Sequence, residues 1–279
     1  TSTLGIAMTT ALFHSLYNRV SAACCYISVF LRNEKISEGT GFSIRPDGQV
    51  VTAAHVVTGR WPIRAVDYTD PNTRIYVKFA GIPLMEYRVV VCGIIVEVSS
   101  FKGPVQLDEA LLVPKTAASS PMPFIAAVEH PPALGQEVFL AGYSDELELP
   151  FDVARLVSPE TNGVPEFLQA LDKGYMADMT GPLIKRGIVG NVRRMIAENT
   201  AENIKVECDV FYVDNSVHAG ASGGPVFDGA GFAVGVITKR ATTSVSQRDY
   251  PNLIAPSGAT VGLGLQPLAF ACAKLNSNA

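Results

Sequence analysis

The sequence has few charged residues, few histidines and no long apolar run that is free of charge. Charged side chains make up 17% of its 279 residues, four residues are histidine, and the formal net charge is −4. A transmembrane helix needs about 18 or more consecutive apolar residues, so none is expected. A slightly acidic chain without a basic run is poorly suited to nucleic acid. Because 48% of the residues are hydrophobic, the chain can build a large core and should fold.

The five cysteines show neither a metal-binding nor a disulfide pattern. Their number is odd, none belongs to a C-x-x-C motif, and no Cys/His cluster has the spacing of zinc ligands. We therefore expect small buried apolar residues, and we expect no metal or cofactor. The missing disulfide pattern favours the cytoplasm, and export is the alternative if a leader was removed before Thr1. The cysteines are Cys24, Cys25, Cys92, Cys208 and Cys272.

Most of the chain between two terminal helices is predicted to be β. Apolar residues at helical spacing predict an amphipathic helix over Leu4–Val20, and a second helix is expected at Gln266–Leu275. Short β-branched runs separated by turn signals, such as Pro46-Asp47-Gly48, predict a sandwich or a barrel. The predicted strands are Cys24–Leu31, Gly41–Ile44, Gln49–Thr52, Ile75–Phe79, Tyr87–Val98, Ala110–Val113, Glu137–Tyr143, Gly187–Val192, Ile204–Val213, Pro225–Phe227 and Phe232–Thr238.

The proline-rich stretch Pro121–Pro132 is interpreted as a linker between two halves. The predicted organisation is a helical segment over 1–22, a first β domain over 23–120 and a second over 121–279. Residues 145–184 interrupt the strand pattern, because they are acidic at Asp145, Glu146 and Glu148 and helical around Pro165–Leu171. We interpret them as a surface insertion that could serve as a lid or as a docking element for a partner.

The strongest functional signal is the segment Gly220-Ala221-Ser222-Gly223-Gly224-Pro225. A serine flanked by glycines can sit on a tight turn with its hydroxyl exposed. The N–H groups of Gly220 and Ser222 are the natural donors to an oxyanion formed there. The segment also fits the G-x-S-x-G elbow of α/β-hydrolases, in which the histidine follows the serine. Every histidine of this chain precedes Ser222, so that fold is excluded.

His55 is the predicted general base. It follows the β-branched strand Val50–Thr52 and two small residues, Ala53 and Ala54, which leave room for a substrate. An imidazole has a pKa suited to proton transfer near neutral pH. His218 is the competitor, but it lies only four residues before the serine and is expected at the rim of the site. The remaining histidines, His14 and His130, are interpreted as structural.

Asp108 is the predicted acid. It precedes the apolar run Ala110–Val113, so its carboxylate should be partly desolvated and in need of a partner such as a histidine. Glu109 points the other way in an extended chain and is expected to face solvent. Asp67 and Asp70 are rival acids in a polar, turn-like stretch. The resulting order of histidine, aspartate and serine is that of the chymotrypsin-type double barrel.

With these residues in hand, the chain resembles trypsin-like serine proteases of the chymotrypsin clan, and their HtrA (Deg) branch most. The resemblance spans residues of about 25–275 and implies two six-stranded antiparallel β-barrels. It also implies serine endopeptidase activity on protein or peptide substrates, and HtrA relatives often form homo-oligomers. The motifs that carry the resemblance are Gly39–Ile44 with Asp47-Gly48, Thr52–Val57, Asp108–Leu112, Asp214–Pro225 with Gly235–Thr238, and Gly262–Pro267.

The resemblance also implies where specificity is set. The floor of the pocket for the residue before the scissile bond (P1) should lie at Asn215 and Ser216, and Val236, Ile237 and Thr238 should form one wall. Neither floor residue is acidic, so we expect a small or medium apolar P1 rather than a basic one. Because only about 12 residues follow Pro267, we do not expect the PDZ domain that is usual in HtrA proteins. Ala221 replaces the acid that digestive trypsins use in activation, so activation of that kind is not expected.

Three other functions share this pattern. A trypsin fold that binds a partner without cleaving it would keep the same core, and the presence of all three triad residue types argues against it. An esterase on the same barrels would use the same nucleophile on a different acyl group. A protease dedicated to one substrate would differ only in what it recognises.

Overall fold

The structure is a computed structural model that describes residues 2–96, 102, 105–144, 157–158, 160–199, 204–245 and 252–277. Its strands form two closed six-stranded antiparallel barrels, which confirms the predicted all-β chymotrypsin-like fold. The first barrel closes in the order β1-β2-β3-β6-β5-β4. Its strands are β1 Cys24–Leu31, β2 Glu34–Ser43, β3 Val50–Thr52, β4 Thr73–Phe79, β5 Met85–Val96 and β6 Val105–Pro114.

The second barrel closes in the order β10-β11-β12-β9-β8-β7. Its last strand is not among the predicted ones, because Ile254–Leu263 carries Pro256, Ser257 and Gly258, which are turn-type residues. Gly258 has a φ of +85° in the structure, so the strand is irregular at that point. The strands are β7 Glu137–Gly142, β8 Leu183–Asn199, β9 Ile204–Val213, β10 Pro225–Phe227, β11 Ala233–Ser244 and β12 Ile254–Leu263.

Both terminal helices are present, and each packs against the barrel that is more distant from it in sequence. The first helix precedes the first barrel, yet the rings of Phe13 and Tyr17 contact Phe139 of the second barrel at centroid distances of 5.9 and 5.8 Å. The last helix follows the second barrel and packs on β5 and β6 of the first as well as on β9. The helices are α1 Ser2–Ala23, α2 Ala54–Thr58, α3 Val66–Thr69, α4 Val164–Ala170, α5 Ala177–Thr180 and α6 Gln266–Ser277.

The core continues from one barrel into the other. One buried apolar cluster joins Leu107 and Leu111 of β6 to Phe139 of β7 and to Leu265 and Leu268 at the start of α6. This shared cluster fixes the two barrels against each other, so side chains from both can form one site at the seam. Within the described ranges, no helix is long and apolar enough to cross a membrane.

The insertion between β7 and β8 folds back onto the first barrel. Its described part contains α4, a π-helical turn over Leu171–Tyr175, and α5. The hydroxyl of Ser28 on β1 donates to the carbonyl of Lys173 at 2.8 Å. Lys78 of β4 is 1% exposed and donates to the Asp178 carboxylate at 2.5 Å. The predicted helix around Pro165–Leu171 is therefore present, whereas the acidic segment with Asp145, Glu146 and Glu148 lies outside the described residues.

Candidate active site

His55 lies at the seam of the barrels on the short helix α2, which follows β3 directly. Ala53 and Ala54 beside it are fully buried, and the helix ends at Gly59, whose φ is +67°. The predicted strand Gln49–Thr52 ends at Thr52 in the structure as well, and one turn of helix that the sequence pattern did not predict follows it. The imidazole remains 30% exposed, so it faces the cleft between the barrels.

Asp108 binds His55 through both carboxylate oxygens. Oδ2 lies 2.7 Å from Nδ1 of the ring, and Oδ1 accepts the backbone N–H of His55 at 2.9 Å. The carboxylate is 15% exposed. A pair of contacts to the ring and the backbone of one residue fixes the orientation of the ring. Because Nδ1 is occupied by the carboxylate, Nε2 is the ring nitrogen left for a nucleophile or a substrate.

The rival acids are engaged elsewhere. Asp67 Oδ2 accepts the backbone N–H of Arg64 at 3.1 Å, and Asp70 Oδ1 accepts the backbone N–H of Asn72 at 2.8 Å. Both carboxylates stabilise local turns, and neither bonds to His55. Among the described residues, Asp108 alone has the geometry of an acid partner to this imidazole.

Ser222 lies on a turn that requires glycine at the two positions after it. Gly223 has a φ of +85°, and a Cβ there would lie 2.2 Å from the carbonyl oxygen of Thr40. A Cβ at Gly224 would lie 2.0 Å from the carbonyl oxygen of Ala141. The serine hydroxyl donates to the Thr238 carbonyl at 3.2 Å. Ser222 and His55 line the same cleft, but within the described part of the chain no hydrogen bond joins them.

Two backbone amides beside the serine are left without an acceptor. The N–H groups of Ala221, Gly223 and Gly224 donate to backbone carbonyls at 3.3, 2.7 and 3.0 Å. The N–H groups of Gly220 and Ser222 have no acceptor among the described residues. These two are the amides that the sequence pattern predicts as oxyanion donors. Unpaired donors beside a nucleophile are the arrangement that stabilises a developing negative charge on oxygen.

Glu109 contradicts the sequence-based expectation. Its side chain is fully buried instead of facing solvent. Both faces of β6 are covered at this point, because α6 and the second barrel pack on the face opposite Asp108. Burial raises the pKa of Glu109 well above its usual value, and the nearby charge of Asp108 raises it further, while the N–H of Leu268 acts in the opposite direction. Burial thus favours the uncharged, protonated form of the Glu109 carboxyl.

The cleft has apolar walls and a cationic rim. Its volume is about 780 Å³, and His55, Asp108 and Ser222 all line it. Lys239 and Arg240 follow Thr238 at the edge, and Asp108 is the only carboxylate among the described residues that line the cleft. The apolar residues of the walls include Val210, Tyr212, Val217, Val261 and Leu263.

The predicted pocket residues occupy different places. Thr238 lines the cleft, whereas Val236 and Ile237 are buried in the apolar clusters of the second barrel. Asn215 and Ser216 do not line it: the Asn215 amide donates to the Arg186 carbonyl at 2.9 Å. Val217, the next residue in the chain, does line the cleft. The sequence analysis did not predict the wall residues Val210 and Tyr212, which alternation along β9 places on one face of the strand.

Comparisons with known proteins agree with this fold. The family profile of the trypsin-like peptidase domain matches residues 39–236. A crystal structure of the Rv3671c protease in its inactive form is 19% identical, covers 93% of this chain and 91% of that chain, and gives a TM-score of 0.51. The active form of the Rv3671c protease from M. tuberculosis is 19% identical, covers 93% and 83%, and gives a TM-score of 0.52. The sequence matches no curated protein.

Proposed function

Because the chain belongs to the trypsin-like peptidase family, we propose that it is a serine endopeptidase that hydrolyses peptide bonds through an acyl-enzyme. The observation that carries the proposal is the two-point contact of Asp108 with His55, in the cleft that Ser222 also lines. A carboxylate, an imidazole and a serine in this order are the parts of a catalytic triad. The substrate class is protein or peptide, and the proposed site uses no metal or cofactor.

The proposed chemistry starts with a rotation of the serine side chain. The Ser222 hydroxyl leaves the Thr238 carbonyl and turns toward Nε2 of His55, which exchanges one hydrogen bond for another. His55 takes the proton as Ser222 attacks the peptide carbonyl, and Asp108 stabilises the imidazolium. The N–H groups of Gly220 and Ser222 bind the oxyanion. His55 then gives the proton to the leaving amine, and water releases the acyl group by the same steps.

We further propose a P1 residue that is apolar and not basic. The apolar cleft walls favour an aliphatic side chain, and the ammonium of Lys239 and the guanidinium of Arg240 at the rim repel a cationic one. The substrate backbone would add as a strand along β11 beside Thr238. We propose Val217 in place of Ser216 as a residue of the P1 pocket, because Val217 lines the cleft and Ser216 does not.

A fluorophosphonate probe and a substrate library test this function together. We expect the wild-type protein to be labelled at Ser222 and to cleave proteins after apolar residues, as read by mass spectrometry of the products. The Ser222→Ala variant should lose both, with a loss of activity of roughly a millionfold. Cleavage that survives in Ser222→Ala, or a library in which arginine is the best P1 residue, would contradict the respective proposal.

The second candidate is a trypsin fold that binds a partner without cleaving it. The hydrogen bond from Ser222 to Thr238 favours this candidate, because it leaves the serine unbonded to His55. The same probe separates the two candidates. An unlabelled wild-type protein that still binds a peptide in the cleft would support the binding function.

A further inference from the structure

Thr40 of the first barrel contacts the loop that carries the serine of the second. Its backbone N–H donates to the Ser222 carbonyl at 2.9 Å, and its hydroxyl donates to the Gly220 carbonyl at 2.7 Å. We propose that Thr40 is a positioning residue that fixes the oxyanion amides, an inference that rests on the proposed endopeptidase function. Thr40 does not line the cleft, so it acts through the loop and does not touch the substrate.

Every polar atom of Thr40 has a partner. The hydroxyl also accepts the N–H of Tyr143 at 2.9 Å, and the carbonyl accepts the hydroxyl of Thr52 at 2.7 Å. The residue is fully buried, so water cannot replace these bonds. One side chain thereby joins β2, the end of β7 and the serine loop. A fully satisfied and buried polar junction of this kind has one geometry and resists rotation of its members.

The two anchored carbonyls lie on either side of the Ser222 amide, and the first of them belongs to the same residue as the Gly220 amide. The Gly220 carbonyl belongs to the peptide between residues 220 and 221, and the Ser222 carbonyl belongs to the peptide between 222 and 223. The Ser222 N–H belongs to the peptide between these two, and the Gly220 N–H belongs to the peptide that precedes them. Thr40 therefore restrains both of the unpaired donors through their neighbours.

Gly220 is the reason that the loop needs such an anchor. Its φ is +86°, and glycine has access to several backbone conformations on both sides of φ = 0°. A side chain could not restrict it, because a Cβ at this position would lie 2.3 Å from the carbonyl oxygen of Tyr143. Without the Thr40 hydroxyl, the Gly220 carbonyl would lose its partner and the peptide could turn. The oxyanion site would then be present for only part of the time.

Variants at Thr40 separate positioning from stability. Thr40→Val keeps the shape and removes the hydroxyl, and Thr40→Ser keeps the hydroxyl. Ser28→Ala is the matched control, since Ser28 is a fully buried residue of the same barrel whose hydroxyl also donates to a carbonyl beyond β7. Neither Ser28 nor its partner Lys173 lines the cleft. The measurements are kcat and KM on a peptide that the wild-type protein cleaves, the rate of fluorophosphonate labelling, and the melting temperature of each variant.

We expect Thr40→Val to lower kcat about 100-fold, as the loss of one oxyanion donor does, with KM within about threefold of wild type. Thr40→Ser should stay within about threefold of the wild-type kcat, and Ser28→Ala should lower the melting temperature without changing kcat. If Thr40→Val does not fold, Thr40→Ala against Thr40→Ser gives the same comparison. A folded Thr40→Val with wild-type kcat, or a Thr40→Ser as impaired as Thr40→Val, would overturn the inference. A wild-type protein that neither cleaves nor labels would refute the endopeptidase function itself, and the inference with it.

Discussion

The pair of Lys78 and Asp178 should decide how firmly the insertion is held on the first barrel. The ammonium of Lys78 is almost fully enclosed, and it donates to Asp178 and to the Phe79 carbonyl at 2.8 Å. The Asp178 carboxylate also accepts the N–H of Gly81 at 2.8 Å. We predict that Asp178→Ala, which leaves Lys78 buried without its counter-charge, destabilises the protein far more than the loss of a surface ion pair.

The magnitude follows from burial. Breaking a fully buried ion pair costs about 3–5 kcal/mol, because an uncompensated charge stays in the interior. The Asp178 side chain is 37% exposed, so some water reaches its end of the pair, and we expect about 2–3 kcal/mol here. For a chain of this size, that lowers the melting temperature by about 5–10 °C.

The double variant Lys78→Met with Asp178→Ala removes both charges and should lie within about 1 kcal/mol of wild type. Lys115→Ala is the surface control, because Lys115 and Glu86 form a pair at 2.5 Å whose side chains are 37% and 30% exposed. This pair should contribute less than about 1 kcal/mol. Circular dichroism during thermal and urea unfolding measures all three. A double variant as unstable as Asp178→Ala would refute the role of the buried charge.

The pH dependence provides a second test. Burial alone would raise the pKa of Asp178, but the hydrogen bonds from Lys78 and from the N–H of Gly81 hold that pKa below its usual value. A lowered carboxyl pKa adds stability above the unfolded-state pKa, and this stability is lost as the pH falls through the folded-state pKa. The difference in melting temperature between wild type and Asp178→Ala should therefore shrink as the pH is lowered from 7 into the acid range.

Two further predictions concern β6. Asp108→Asn should lower kcat by about four orders of magnitude while the protein stays folded. Asp67→Asn is the control and should leave kcat near wild type. A loss of kcat below about tenfold for Asp108→Asn would contradict the role of Asp108 as the acid partner of His55. Glu109→Gln should raise the melting temperature at pH 7–8. A carboxyl pKa that is raised in the folded state adds stability, which is full below the unfolded-state pKa and is lost as the pH rises toward the folded-state pKa. Glutamine does not ionise, so the melting temperature of Glu109→Gln should exceed that of wild type by an amount that grows from pH 4 to pH 8. A gain that is independent of pH would exclude ionisation of Glu109 as the cause.

Local patterns predicted the strands well where one type of residue dominates. Cys24–Leu31 is a continuous β-branched and aromatic run, and its predicted bounds are those of β1. The same reasoning failed at Ile254–Leu263, because its turn-type residues are held in the sheet by pairing with β9 and β11. Strand pairing is a tertiary property, so local propensity could not indicate it.

The three candidate site residues could be predicted from residue type and chain order. The burial of Glu109 and the contact of Thr40 with the serine loop could not. Four histidines and one glycine-flanked serine narrowed the choice to His55 and Ser222, and the structure brings both to one cleft with Asp108. The alternation rule was applied correctly to Glu109, but it assumes that one face of a strand is open to water. The second barrel and α6 cover that face. The anchoring by Thr40 depends on a contact across 180 residues of chain, which no local pattern contains.

The crossed packing of the terminal helices has a consequence for how the chain could be divided. A cut between β6 and β7 would give two pieces. In each piece, apolar surface of the barrel would be exposed, because the helix that covers this surface belongs to the other piece. The N-terminal piece would display the helical face that belongs on Phe139, and the C-terminal piece would display the face that belongs on β5 and β6. Each half thus carries a helix that covers apolar surface of the other half. The separated halves should therefore self-associate through the exposed apolar faces, and they should reassemble into the complete fold when they are mixed.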